Sequence, residues 1–205
     1  MPSSSTTAAD IVNASLVRIG WRQEVASLYD GSAAAQLALN IYGQTRDELL
    51  RKMNPGFAQR NAVLTLLKSA PDSYIPGVNP WDPTVNPPVN WLFEYAYPDS
   101  CLKVRAVKPT PLFFPNVDPQ DNIFSIDNDN YLNPAQRVIL CNVPNALVVY
   151  IGRVTDPATM DVGFIEALTQ ALGERLAPGL ANLETAKMQA VEGQGETVQA
   201  MTEQG

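Results

Sequence analysis

Trp91-Leu-Phe-Glu-Tyr-Ala-Tyr-Pro-Asp-Ser-Cys-Leu102 reads as strand, turn and strand. Trp91, Phe93, Tyr95 and Tyr97 fall on one face of a period-two pattern, and Leu92, Glu94 and Ala96 on the other. Successive side chains of a strand point to opposite faces, so this pattern predicts a strand with an aromatic row along one side. Pro98-Asp99-Ser100 breaks the run, and Leu102, Val104 and Ala106 begin a second alternation. A tight turn and a second strand are expected there. An aromatic row this dense is expected to bury against another layer of its own subunit.

Outward from this stretch, residues 71 to 119 hold eleven of the chain's 17 prolines. Proline fixes φ and lacks a donor, which favours edge strands, turns and ordered extended loops. Further strands are predicted at Ile123–Ile126, Arg137–Asn142 and Ala146–Arg153, with Asn142-Val-Pro-Asn145 turning between the last two. Both ends of the chain change to helical spacing. Thr7 and Asp10 form a capping-box pattern ahead of Ala9, Val12, Leu16 and Ile19, and Gly20 closes that helix. Ser32 can cap a second helix carrying Ala34, Leu37, Ala38, Ile41 and Tyr42, broken at Pro55-Gly56. Phe57 to Leu67 reads as another helical stretch. Asp161 caps a last helix through Phe164, Leu168, Leu172 and Leu176, which Pro178-Gly179 is expected to interrupt. Residues 180 to 205 carry Glu184, Glu192, Glu196 and Glu203 against Lys187, too polar for a stable helix alone. The expectation is an α+β fold: a helical bundle from residues 1–70 and 156–205, and a Pro-rich antiparallel β lobe from 71–155.

Composition narrows the chemistry. Charged residues make up 17% of the 205 residues, and the net charge is −7. An acidic chain does not grip nucleic acid by neutralising phosphates, although DNA can slide past it. No stretch reaches the roughly 20 apolar residues that span a bilayer, and the N-terminus lacks the pattern of a signal peptide. The absence of histidine excludes His-based hydrolases and most zinc sites. Cys101 and Cys141 have no metal spacing and read as small buried hydrophobes, with a disulfide as the alternative. Asp127-Asn-Asp-Asn130 lacks the glycine and final acid of a calcium loop and reads as a hairpin turn. Asp118, Asp121 and Glu94 could supply a glycosidase pair, but solvated acids are the simpler reading. Lys103, Arg105 and Lys108 lie on one side of the second strand: a solvated face, or a contact with a neighbour or with DNA. Arg18 and Arg46 are expected to pair with acids.

Three stretches resemble the podophage head-to-tail adaptors, the tail tubular protein A family. These are Asp10–Gly20 with Ala35–Leu50 (including Tyr42, Arg46, Asp47, Leu49 and Leu50), Trp91–Val104 with Tyr95-Ala-Tyr-Pro98 and Cys101-Leu102, and Val148–Leu176 with Tyr150, Val154-Thr-Asp-Pro157 and Phe164-Ile-Glu-Ala-Leu168. They follow in the family's order over most of the chain. The turn's acid stands one place earlier than the family's Asp-Cys pair, and the last helix is shorter and more polar. The resemblance implies a virion structural protein without enzyme activity or cofactor, made in the host cytoplasm and located at the head–tail junction. It implies a homo-oligomeric ring, a dodecamer, between portal protein and tail nozzle protein, with double-stranded DNA passing through the lumen and no membrane partner. Leu183, Met188, Val191 and Val198 are the candidate portal-docking positions, and Lys103, Arg105 and Lys108 the candidate interface or lumen contacts. The row Trp91, Phe93, Tyr95 and Tyr97 would open the β lobe. A tail-associated cell-wall hydrolase using carboxylates is the alternative.

Overall fold

The structure, a computed structural model, describes residues 6–71, 81–109 and 123–202, with side chains as far as residue 182. It is an α+β protein whose chain divides into two compact units, Met1–Lys52 with Val154–Gly205, and Met53–Arg153.

The first unit is helical. Helix α1 spans Ala8–Arg18, and its capping box is complete: Thr7 accepts from the Asp10 amide while Asp10 accepts from the Thr7 amide. Helix α2 spans Ala33–Met53, with the Ser32 hydroxyl accepting from the Ala35 amide at 3.2 Å. Asn54, at φ +49°, then ends it in the left-handed region that asparagine tolerates. Helix α3 spans Val162–Thr202, capped by Asp161, whose Oδ1 accepts from the Phe164 amide at 2.7 Å. Phe164, Leu168, Leu172, Leu176 and Leu180 recur at intervals of one turn and are all buried. Glycines let neighbours approach this helix: Gly173 lies against the Ser15 carbonyl of α1, and Gly179 against the Leu37 side chain of α2. Arg18 pairs with Glu166 at 3.6 Å, and Arg46 pairs with Asp47 at 2.8 Å.

Pro178 does not interrupt α3. A helical proline leaves the carbonyl four residues earlier without its N–H partner. That residue is Glu174, and both it and Pro178 are exposed, so water can reach the carbonyl. Burial of Leu176 and Leu180 on either side holds the helix through the proline.

The second unit is built of strands. The segment expected to be helical, Phe57 to Leu67, instead carries a 3-10 turn at Gly56–Ala58, strand β1 at Gln59–Val63 and the start of β2 at Leu66–Ser69. The helical unit accordingly ends at Lys52, and not at residue 70. Tertiary pairing overrides local spacing here: β1 lies along β7 (Ala146–Gly152), and β2 along β3 (Phe93–Ala96). The remaining strands are β4 (Cys101–Pro109), β5 (Phe124–Asp129) and β6 (Gln136–Cys141).

They form two antiparallel sheets, ordered β1-β7-β4 and β2-β3-β6-β5. Neither the Pro98–Ser100 turn nor the Asn142–Asn145 turn closes a hairpin. Each carries the chain from the second sheet to the first, since β3 and β6 belong to one and β4 and β7 to the other. Their inner faces share a core in which Tyr95, Ile139 and Cys141 meet Val104, Val107, Val148 and Tyr150. Cys101 and Cys141 are both buried free thiols in that core.

Leu168 is fully buried in α3. Leu168→Ala is expected to cost about 2–5 kcal/mol, read as a lower urea midpoint of the helical unit by circular dichroism. Val162→Ala, at an exposed position of the same helix, should change stability by under about 0.5 kcal/mol.

Candidate functional site

Strand β3 is buried on both faces, and the two faces differ in chemistry. On the inner face lies Tyr95, its hydroxyl donating to the Val143 carbonyl at 2.9 Å, with the Phe93 ring centroid 6.1 Å away. Phe93 and Tyr97 are half-buried against the same core. Arg137 stacks over the Tyr97 ring with its guanidinium carbon 4.7 Å from the centroid. Trp91 precedes the strand, half-buried, its amide donating to the Pro88 carbonyl. The aromatic row thus packs within its own chain at Phe93, Tyr95 and Tyr97.

The outer face carries Glu94, which is no solvated acid: it is 1% exposed. The β2–β3 register sets Lys68 directly opposite it, with Nζ 3.8 Å from Glu94 Oε1. Lys68 also donates to the Pro83 carbonyl at 2.9 Å and forms a close ion pair with Asp129, at the end of β5. Asp129 accepts from the Tyr131 amide at 2.8 Å, and the Tyr131 ring centroid lies 5.8 Å from Lys68 Nζ. All three charged side chains are buried. Val138 and Leu140 of β6 continue this face.

Residues 81 to 90 cover it. Asp82 caps their turn, accepting from the Thr84 amide and hydroxyl. Between this cover and the sheet lies a cavity of about 410 Å³, with Lys68, Glu94 and Asp129 in its polar floor and Trp81, Pro83 and Leu140 among its apolar walls.

Burial, and next the hydrogen bond to Asp129, push Glu94 up to about 7, against the opposing pull of Lys68. Burial would also raise Asp129, but hydrogen bonds from Lys68, the Tyr131 amide and Glu94 bring it below the usual carboxylate range. Glu94 therefore holds a proton on the edge of an ionised Asp129. In a chain without histidine, this is a side chain that titrates near neutrality. The pair resembles an acid and a base in its titration but not in its spacing. The two carboxyls hydrogen-bond to each other, whereas a retaining glycosidase holds its pair about 5–5.5 Å apart around the bond to be cut.

The other expected site residues lie elsewhere. Lys103, Arg105 and Lys108 are exposed on β4. The β4–β7 register skips Arg105, and this bulge brings Lys108 out on the face of Lys103. Arg105 donates to Gln59 Oε1 at 2.8 Å, across to β1. Asp127-Asn-Asp-Asn130 closes β5, and its second acid, Asp129, turns into the buried cluster. Leu183, Met188, Val191 and Val198 lie beyond the side chains the structure describes, and Asp118 and Asp121 fall outside the described residues. Lys68 had no signal of its own in the sequence, and Asp129 stood out only within the Asp127–Asn130 run, because only the strand register and the fold bring them to Glu94. Among the described residues no helix is long and apolar enough to cross a membrane.

Compared with protein-family models and with curated proteins, the chain matches none.

Glu94 binds its proton more tightly folded than unfolded, where a carboxyl titrates near 4.5. Its contribution to stability is complete below that value, declines as pH rises toward 7, and is lost above it. Asp129, being lowered, acts in the opposite sense and only in acid, below its ordinary 3.8. Thermal unfolding between about pH 5 and 8 should show the midpoint of the β unit falling as pH rises. Glu94→Gln should flatten that slope. Lys68→Met, which leaves Asp129 buried without its cation, should cost about 3–5 kcal/mol at neutral pH.

Proposed function

We propose that this chain is a ring-forming virion adaptor joining a portal to a tail nozzle at the head–tail junction. The observation that carries the reading is the length of α3. Its 41 residues extend about 60 Å at 1.5 Å per residue. The 11 and 21 residues of α1 and α2 extend about 17 and 32 Å. A helix longer than either helix it packs on has length left over, and a partner that covers it can stabilise the remainder. In a ring stacked on a portal, that partner is the portal protein, with Leu183, Met188, Val191 and Val198 as the docking positions. Support also comes from sequence: the three stretches resembling the adaptors fall on α1–α2, on β3–β4, and on β7 through the first turns of α3.

Within the ring, the exposed row Lys103, Arg105 and Lys108 would meet a neighbouring subunit or the passing DNA. The net charge of −7 suits a conduit, since acidic walls repel phosphates. No catalytic step is needed for this role.

Mass measurement of the purified chain, alone and mixed with portal rings, tests the reading. A defined ring on the portal is expected, and a monomer that ignores the portal would overturn the proposal. A chain cut after Leu183 should keep its fold by circular dichroism and lose portal binding. Full-affinity assembly of that shortened chain would remove α3 from the docking role.

A further inference from the structure

We propose that residues 81 to 90 form a strap over the second sheet, closed while Glu94 is protonated and released when it ionises. The strap is lightly held. Of its ten residues only Pro87 is buried, Trp81 and Asn86 are half-buried, and the rest are exposed. Val85 and Val89 are 60% and 73% exposed, so little apolar burial fixes it in place. Two hydrogen bonds tie it to β2. The Lys68 ammonium donates to the Pro83 carbonyl at 2.9 Å, and the Asn86 amide donates to the Ser69 carbonyl at 3.4 Å. The shorter of these ties runs directly into the buried charge cluster.

That cluster balances only with one carboxyl protonated. Lys68 and Asp129 cancel as an ion pair, and Glu94 adds no charge while its proton bridges to Asp129. Loss of the proton leaves two carboxylates in contact with one ammonium between them, a net negative charge in a buried site. Such a site needs a second cation or added hydration. The other groups around it supply no cation. Asp127 of β5 and Tyr131 beyond it line the same cavity, Asp82 of the strap lies within the field of Lys68, and Val138 and Leu140 of β6 are apolar.

Hydration is the remaining source of relief, and the strap stands in its way. Glu94 Oε1 is buried and accepts no hydrogen bond. Once ionised, it draws the Lys68 ammonium in from 3.8 Å. The Pro83 carbonyl is a neutral acceptor and holds that ammonium less strongly than either carboxylate does. Its tie is the one that gives way, so the strap lifts and water reaches the floor of the cavity. The closed form keeps the Glu94 proton up to about 7, whereas a hydrated carboxyl loses it near 4.5. Opening therefore grows with pH between those values, by up to about tenfold per pH unit, and levels off above 7. The device does not depend on the ring-adaptor reading.

The test is fluorine NMR of the full chain carrying 5-fluorotryptophan at Trp21, Trp81 and Trp91, with the Trp81 signal assigned through Trp81→Phe. The shift of that signal between light and heavy water reads the exposure of the ring. Exposure of Trp81 is expected to rise from pH 5 to 7 and then level off, while Trp21, in the helical unit, stays constant. Glu94→Gln cannot ionise, and its amide still donates to Asp129, so Trp81 should keep its low-pH exposure up to pH 8. Should that variant not fold, Asp129→Asn leaves Lys68 to pair with an ionised Glu94 alone, and the rise between pH 5 and 7 should disappear. Constant exposure of Trp81 in the unaltered chain would overturn the proposal, even if its signal titrates. A rise that persists unchanged in Glu94→Gln, or in Asp129→Asn, would overturn it equally.

Discussion

Burial of β3 on both faces is the constraint around which the second unit is arranged. A strand with one wet face needs only one apolar side, but Tyr95 and Glu94 are successive residues and both are nearly inaccessible. The inner side is satisfied by the opposing sheet, whose Val104, Val107 and Val148 share a core with Tyr95. The outer side cannot be satisfied that way, because a carboxyl must find a partner or take up a proton. It does both, through Lys68 and Asp129. Three strands are thereby tied together: β2 supplies the lysine, β3 the glutamate and β5 the aspartate.

Such a cluster is a weak source of stability, since removing charges from water costs about as much as their attraction returns. Its value lies in specifying register. Slipping β2 by one residue would turn Lys68 to the other face of the sheet and strand Asp129 without its cation. The bulge between Leu66 and Lys68 is consistent with that demand, because it sets Lys68, and not Leu67, opposite Glu94. The cover formed by residues 81 to 90 completes the arrangement, with the Pro83 carbonyl accepting from the same ammonium group.

What the sequence reveals and what it hides follow from the range of the interactions. Helices α1 and α2 are legible because their signals are local: the Thr7–Asp10 box, the Ser32 cap and a stripe at helical spacing. The strand at Phe93–Ala96 is legible for the same reason, as its alternation needs no partner to be seen. Phe57 to Leu67 reads as helical because Ala58, Ala62 and Leu66 fit helical spacing, and only pairing with β7 and β3 makes Ala62 and Leu66 strand residues. The two turns show that the chain changes direction but not which sheet it enters. Pro178 is a local stop signal overruled by the buried leucines on either side. The cluster was least legible of all. Glu94 was visible as an acid on a strand, yet its partners lie 26 residues before it and 35 residues after it (94 − 68 and 129 − 94).

The same logic explains how a β unit can sit inside a helical one. The chain leaves the helical unit after Lys52 and returns at Val154, so the strands are an insertion between α2 and α3. An insertion is tolerated when its ends lie close together, because the flanking elements then meet as if joined by a short loop. Here the first and last strands of the unit are neighbours, with Gln59 of β1 opposite Ile151 of β7. The seam is tight: Gly152 lies against the Arg60 side chain and the Ala58 carbonyl, where a β-carbon would crowd Arg60 at 3.0 Å. The Arg153 amide donates to the Ser100 carbonyl just beyond it. The β unit therefore closes its own entrance and exit through β1–β7 pairing. The loop-closure entropy of joining α2 to α3 across some hundred residues is thereby met by strand pairing inside the insertion itself.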